Sequence, residues 1–537
     1  MYAPETTKPS HRQSFPSLLR FGSSICLLGC AGAIGMQRAE AQIAPSQAGI
    51  FEVKADGTLP GPISGRLILF MKHGHGDTAV DEEEFRPGDT WIAAQEVHDL
   101  APGATVKIDA NLTAYPEAFT KAAGSDWEIQ AVLDVDHTYN YSGRDVHDWE
   151  SPVVAMGSGA LPTIVLDRHP EAGPREAATT KLHEIAGEAE LFDFKSEALS
   201  RFWGKPTDIR AWVILPPGYD AKAKTKYPTA YWTHGFGGNL QYSLATGMNL
   251  RKRMEDKKMP PMIWVMLDES IPQGTHEFAD SVNNGPWGTA LTTEFIPAIE
   301  RKYDMDSRPS GRLLNGHSSG GWATLQLQVN YPNVFGGTWS TSPDPSDFHN
   351  FTGSDLYAPH ANVYHGSDGM PTPIMRADGK VVATFEQFSK IETVLGPYGG
   401  QVSSFNWVFS PKSPSGAPEP MFDRVTGDVY PGVVQYWHDH YDLAHLVEQN
   451  WAQNGPMLRG RIHLFVGTAD TFYLEGSAHL FEARLQKLGA EPHFTYIPGR
   501  SHFDLYKVGA DRSGLFNQIG AEMYATARPN AHWRSAQ

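Results

Sequence analysis

Gly316-His317-Ser318-Ser319-Gly320 fits the pattern G-x-S-x-G, with an apolar run ending in Leu313-Leu314 before it and a helix-like stretch from Trp322 to Val329 after it. A sharp strand-to-helix turn of this kind lifts a serine hydroxyl clear of the backbone, and the helix N-terminus behind it favours negative charge. The chemistry would be nucleophilic attack by Ser318. Attack needs a base, and Phe494-Thr495-Tyr496-Ile497 reads as a strand whose following loop carries His502. The base needs an acid, and Ile462 to Gly467 reads as a strand running into Asp470. Ser318, Asp470 and His502 occur in the order used where one sheet presents all three. His502 would take the serine proton while Asp470 holds the imidazole tautomer. Asp344 and Asp347, after the strand-like Gly337-Thr338-Trp339-Ser340, are rival acids.

Acyl transfer also needs backbone N–H groups aimed at a developing oxyanion. His234-Gly235-Phe236-Gly237-Gly238, directly after the strand-like Ala230-Tyr231-Trp232-Thr233, offers Phe236 as one donor, and Ser319 is the other. His234, His317, Trp287 and Trp437 are the candidate substrate contacts.

These residues must be held by a framework. From Ile209 onward apolar runs such as Arg210–Leu215, Tyr227–Trp232 and Met262–Leu267 alternate with helical stretches, which predicts an α/β architecture with a mostly parallel sheet flanked by helices at about 200–525. The segment 43–190 differs. Gly65–Met71, Trp91–Ala94, Thr105–Ile108 and Trp127–Leu133 read as strands separated by turns, so a β-sandwich-like N-terminal domain is expected there. A charged, alanine-rich linker at about 171–197 divides the two. Ser318 and Asp470 are 152 positions apart, whereas Asp470 and His502 are 32 apart. The excess falls at about 348–458 and predicts an insertion over the mouth of the site. Within it, Tyr436-Trp437-His438-Asp439-His440-Tyr441-Asp442 reads as a substrate-stacking segment or a packed loop rather than a metal centre, and His73-Gly74-His75 as a solvated turn.

Residues 1–41 read as an export leader. Basic residues precede the apolar run Phe21–Met36, and Ala39-Glu40-Ala41 offers small residues where a signal peptidase cuts. Leu27-Leu28-Gly29-Cys30 also resembles a lipobox, so lipidation at Cys30 is the one route to a membrane. Cys26 and Cys30 are the only cysteines. Removal of the leader therefore leaves no thiol, which excludes disulfides and cysteine-ligated metals from the mature chain. The leader carries four basic residues and two acids, so its loss takes the net charge from −17 to −19. Such a surface repels nucleic acid.

The stretch from about Arg201 to Tyr506 resembles the esterase family that includes esterase D and the feruloyl esterases. The resemblance rests on Leu215-Pro216-Pro217-Gly218-Tyr219-Asp220, the His234–Gly238 loop, Gly316–Gly320 and Gly467-Thr468-Ala469-Asp470. It implies the α/β-hydrolase fold and hydrolysis of carboxylic esters through an acyl-enzyme, on a small-molecule or polysaccharide-linked ester, without metal or cofactor. Trp287, in Asn284-Gly285-Pro286-Trp287-Gly288, resembles an exported subgroup for which the likeness carries a fold and no substrate. A serine peptidase of the prolyl class shares the residue order, but its repeated propeller blades have no counterpart in the N-terminal segment. A non-catalytic carbohydrate-binding protein on the same scaffold is the remaining reading; intact nucleophile, acid, base and oxyanion loop argue against it.

Overall fold

The computed structural model describes residues 49–537 except 84, 123–125, 158–160, 171–188, 223–224, 532 and 536–537. The leader expected at 1–41 lies outside them. The described residues belong to one compact unit.

The N-terminal part comprises β1 (Ile50–Ala55), β2 (Ile63–His73), β3 (Thr90–Leu100), β4 (Thr105–Asp109), β5 (Ala114–Tyr115), β6 (Trp127–Asp134), α1 (Tyr139–Ser142), β7 (Trp149–Glu150), β8 (Val154–Met156) and β9 (Thr163–Leu166). They build a sheet in the order β4-β1-β9 and a second in the order β5-β3-β2-β6-β7, with β8 also on β6. Val53, Ile108 and Ile164 of the first meet Leu67, Leu69 and Ile129 of the second in one core, so the sheets stack face to face. β2 carries Leu67-Ile68-Leu69-Phe70-Met71 without polar alternation because its other face is covered too. Ile68 and Phe70 pack there with Tyr139, Ile391, Val394 and Leu395. A strand buried on both sides reads as a continuous apolar run.

The second sheet contains β10 (Ala189–Lys195), β11 (Asp208–Ile214), β12 (Thr229–Thr233), β13 (Ile263–Leu267), β14 (Arg312–His317), β15 (Gly337–Thr341), β16 (Ile462–Gly467) and β17 (His493–Ile497). Their order is β10-β11-β13-β12-β14-β15-β16-β17. β10 and β11 are antiparallel to their neighbours, and the six strands from β13 to β17 are parallel. Alternate residues of β12 feed opposite faces: Ala230 and Trp232 face α2 (Leu240–Glu255), whereas Tyr231 packs with Phe295 and Ile299. This is the mostly parallel, helix-flanked sheet expected from the alternating apolar and helical segments. The nucleophile candidate sits between β14 and α3 (Ser319–Asn330), at the C-terminal edge of the parallel strands, where α/β sheets bind ligands.

Between β15 and β16 the chain forms a hairpin (Pro373–Ala377 with Lys380–Thr384), α4 (Phe385–Leu395), α5 (Gln401–Phe409), α6 (Pro431–Tyr441) and α7 (Leu443–Leu458). α7 packs on α3 and on α8 (Leu474–Lys487), and so acts as the crossover helix that a parallel β15–β16 pair requires. The added material is thus the stretch before it, and α4 is the element that covers β2. No helix among the described residues is long and apolar enough to cross a membrane.

Two acids just after β13 are unusual. Glu269 and Glu277 are fully buried, each with a threonine hydroxyl beside its carboxylate, Thr233 and Thr275 respectively. Burial disfavours the charged form. It raises Glu269 to about 8, with His234 opposing the rise and Asp344 and Asp268 adding to it. In the unfolded chain a glutamate releases its proton near about 4.3. Over the interval between, the folded state binds the extra proton, so stability is full at low pH and is lost as pH rises toward about 8. Thermal melts at pH 5, 6, 7 and 8 should show wild-type stability falling more steeply than that of Glu269→Gln. Parallel curves would mean that Glu269 does not titrate in this range.

Candidate active site

Ser318 lies at the junction of β14 and α3 with φ 59° and ψ −126°, a backbone conformation a non-glycine residue holds only when its surroundings enforce it. They do so here. The Ser318 N–H donates to Thr341 O at 3.0 Å, and the Ser318 carbonyl accepts from Trp322 N–H at 3.0 Å. The two glycine-bearing segments interlock: a Cβ on Gly320 would stand 2.1 Å from His234 O, and one on Gly235 would stand 2.7 Å from Ser318 Cβ. β12 and β14 are neighbours in register, Thr233 opposite Gly316, which forces the loops that follow them together.

The strand ends bring the base and acid to the same edge. His502 Nδ1 is 3.0 Å from Asp470 Oδ2, and Asp470 Oδ1 accepts from Phe472 N–H at 3.0 Å. Burial pushes the Asp470 carboxyl up, but the charge and hydrogen bond of His502 outweigh it and hold Asp470 below its ordinary value. His317 packs its ring 4.5 Å from that of His502, and burial together with the His502 charge lowers His317 to about 3, so it stays neutral. No hydrogen bond joins Ser318 to His502 among the described residues; such bonds are often long until substrate arrives. Asp344, one of the two rival acids, serves a different partner: Ser319 Oγ donates to Asp344 Oδ2 at 2.6 Å. Burial raises Asp344 to about 6, against the pull of the Ser319 hydrogen bond and of His502. Asp347 contacts His349 instead, at 2.7 Å.

Ser319 opens α3, so its N–H has no partner within the helix. Phe236 occupies a tight turn closed by Gly238 N–H to Gly235 O at 3.0 Å, with Gly237 at φ +73°. Among the described residues neither N–H donates a backbone hydrogen bond, which leaves both available to an oxyanion.

Three expected substrate contacts are overturned. His234 has no exposed surface; its Nδ1 donates to Gly235 O at 2.8 Å and its Nε2 lies 3.0 Å from Asp268, so it braces the oxyanion loop from behind. Trp287 is 4% exposed, stacked on His276 at 3.6 Å, with its indole N–H on Asn284 O. Trp437 has no exposed surface either. It sits among Phe348, Phe351 and Phe409 and donates to Ser410 Oγ. Val433, Val434, Trp437 and Tyr441 fall on one side of α6, and that helical spacing carries Trp437 into the core. Tyr436 and His440, on the other side, line a cavity of about 480 Å³ to which neither Ser318, Asp470 nor His502 contributes.

Other residues near the site carry no motif. Arg376, from the hairpin before α4, donates to Asp470 O at 2.9 Å and pairs with Glu475 at 2.5 Å, tying the added segment to the acid loop. A narrow void of about 20 Å³ beside Asp344 is walled by Phe351, Phe385, Phe388, Phe405 and Phe472. Tyr141 of α1 reaches the oxyanion loop. The general expectation of an insertion near the mouth pointed toward Arg376 and most of the void's walls, and nothing in the sequence pointed toward Tyr141.

The profile of the family described as "Putative esterase" matches residues 205–502, more than half of the chain. A "Probable dipeptidyl-peptidase 5" of Emericella nidulans is 31% identical over 153 residues, 27% of this chain and 20% of its own length. An "Endo-1,4-beta-xylanase/feruloyl esterase" of Xylanibacter ruminicola is 27% identical over 143 residues, 25% of this chain and 20% of its own. The chain spans about a fifth of the length of these curated relatives. Among solved structures, a ferulic acid esterase aligns over 63% of this chain and 98% of its own at 14% identity and a TM-score of 0.40. The S-formylglutathione hydrolase of Staphylococcus aureus does so over 63% and 98% at 13% identity and a TM-score of 0.35. On the family match, this chain is a member of the esterase family and of its α/β-hydrolase fold.

Proposed function

We propose that the protein is an exported serine hydrolase that cleaves carboxylic esters through an acyl-enzyme. The observation that carries this reading is the 3.0 Å contact of Asp470 with His502, set beside a serine held at φ 59°. Ser318 Oγ attacks the ester carbonyl carbon as His502 Nε2 takes the hydroxyl proton. The carbonyl oxygen becomes an oxyanion, held by the N–H groups of Ser319 and Phe236. Collapse breaks the carbon–alkoxy bond, and His502 returns its proton to the leaving alcohol. Water repeats the sequence on the acyl-enzyme, giving the acid and restoring Ser318. Asp470, kept ionised by His502, stabilises the imidazolium in both halves. No step calls for a metal or cofactor.

The family match suits a small-molecule or carbohydrate-linked ester, with feruloyl as one acyl class; the void of about 20 Å³ beside Asp344 has room for little more than a water and does not seat such a group. The xylanase/feruloyl esterase relative supports that class. The peptidase relative supports cleavage of peptide bonds at the same serine as the second reading.

Purified protein should label with a fluorophosphonate and hydrolyse some member of a panel running from acetyl to feruloyl and aryl esters. Ser318→Ala should lose both, with turnover down by at least about 10⁴-fold. Turnover of dipeptidyl amides without ester turnover would replace this reading with the peptidase one. Asp470→Asn should lower kcat by about 10⁴-fold and Asp344→Asn by far less; the reverse ranking would make Asp344 the acid. For the export assignment, mass spectrometry of the mature N-terminus should find Gln42; an acylated Cys30 would place the enzyme on a membrane.

A further inference from the structure

The N-terminal sheet domain lies outside the span matched by the family profile, yet it reaches the oxyanion loop. Tyr141, on the short helix α1, donates its hydroxyl to Gly238 O at 2.6 Å and sets its ring edge-on to Phe236 with centroids 5.0 Å apart. Phe236 is the residue whose N–H the mechanism uses, and Gly238 closes its turn. A loop with glycine at 235, 237 and 238 has little conformational preference of its own, so its N–H vector is set by what grips it. His234 grips one end from behind through Gly235 O. Tyr141 grips the other from the front.

α1 is itself locked. The Asn140 side-chain amide donates to Glu392 O at 3.1 Å and Gly396 O at 2.9 Å, and the Arg66 guanidinium donates to Val394 O at 3.0 and 2.6 Å. These carbonyls lie at the C-terminal end of α4, where Glu392 O also accepts from Gly396 N–H at 3.0 Å, so the domain helps to cap the helix that it also covers. Gly399 comes so close that a Cβ there would stand 3.2 Å from Tyr141 Cβ. Burial, with Glu269 and Asp268 nearby, holds the Tyr141 hydroxyl well above its ordinary value, so it remains a donor. At a second point Phe85 meets Phe503, the neighbour of His502, edge-on at 5.7 Å.

We propose that Tyr141 is a positioning residue for the oxyanion loop, which makes the N-terminal sheet domain a working part of the active site. The inference rests on the serine-hydrolase reading above. Fluorophosphonate labelling of the full-length protein tests it whatever the natural ester is, because attack on phosphorus builds negative charge at the same two N–H groups. Tyr141→Phe keeps the ring and removes only the hydroxyl bond. It should label about ten- to a hundredfold more slowly than wild type, and kcat on any accepted ester should fall by a similar factor with KM nearly unchanged. Its thermal unfolding curve should overlay that of wild type, and Tyr141→Ala should be slower still. Equal labelling rates and kcat values for wild type and Tyr141→Phe would overturn the proposal, as would a loss confined to KM. A wild type that labels but turns over no ester would sink the ester reading alone, and the labelling ratio would still decide the role of Tyr141.

Discussion

Gly320 leaves no room between its α-carbon and the His234 carbonyl: a methyl group there would sit 2.1 Å from that oxygen. This backbone-to-backbone contact joins the turn that carries Ser318 to the turn that carries Phe236, and the rest of the site is arranged around it. It exists because β12 and β14 are adjacent parallel strands ending level with each other, so their outgoing loops have one place to go. Once the turns are fused, the serine hydroxyl and both candidate oxyanion donors share a single rigid frame. His502 and Asp470 then need only arrive from β17 and β16 at the same edge.

That frame was legible in the sequence because it is local. Strand, glycine turn and helix follow within about a dozen residues, and the glycines mark where backbones approach. The misread residues share the opposite property. Trp437, Trp287 and His234 were assigned from residue type, since aromatic and imidazole side chains serve substrates and cores equally well. What decides between those roles is which way the side chain faces. For Trp437 the helical spacing with Val433, Val434 and Tyr441 held that information. For His234 it did not: the partner that buries it, Asp268, comes 34 residues later at the end of the neighbouring strand.

β2 shows how long-range packing is written into a short segment without naming its partner. The run Leu67-Ile68-Leu69-Phe70-Met71 states that both faces are covered, and the stacked sheet accounts for one. The other is covered by α4, more than 300 positions away in the added segment. Sheet domain and added segment therefore share a core, and neither can be moved without exposing the other's apolar surface. Nothing in a strand pattern identifies the helix that will lie across it, which is why Tyr141 and Arg376 escaped a reading built on motifs.

The electrostatics of the interior follow from the same enclosure. Glu269, Glu277 and Asp344 are buried within one another's field, Glu269 beside His234 and Asp344 on Ser319, and on the proposed mechanism three carboxylates there would oppose the negative charge of acyl transfer. Burial resolves most of the conflict by keeping protons on two of them. Glu277 is held well above the ordinary glutamate value and Glu269 is raised to about 8, so both are largely neutral at pH 7. Asp344, raised only to about 6, is the one that ionises, and the groups that hold it down are the Ser319 hydroxyl and the charge of His502. On the proposed mechanism His502 would become an imidazolium in the first half-reaction, with Asp344 and Asp470 both within its field. On the same mechanism that positive charge would be balanced by two carboxylates while backbone dipoles would meet the oxyanion, a division of charge that a site open to water would have no means to hold.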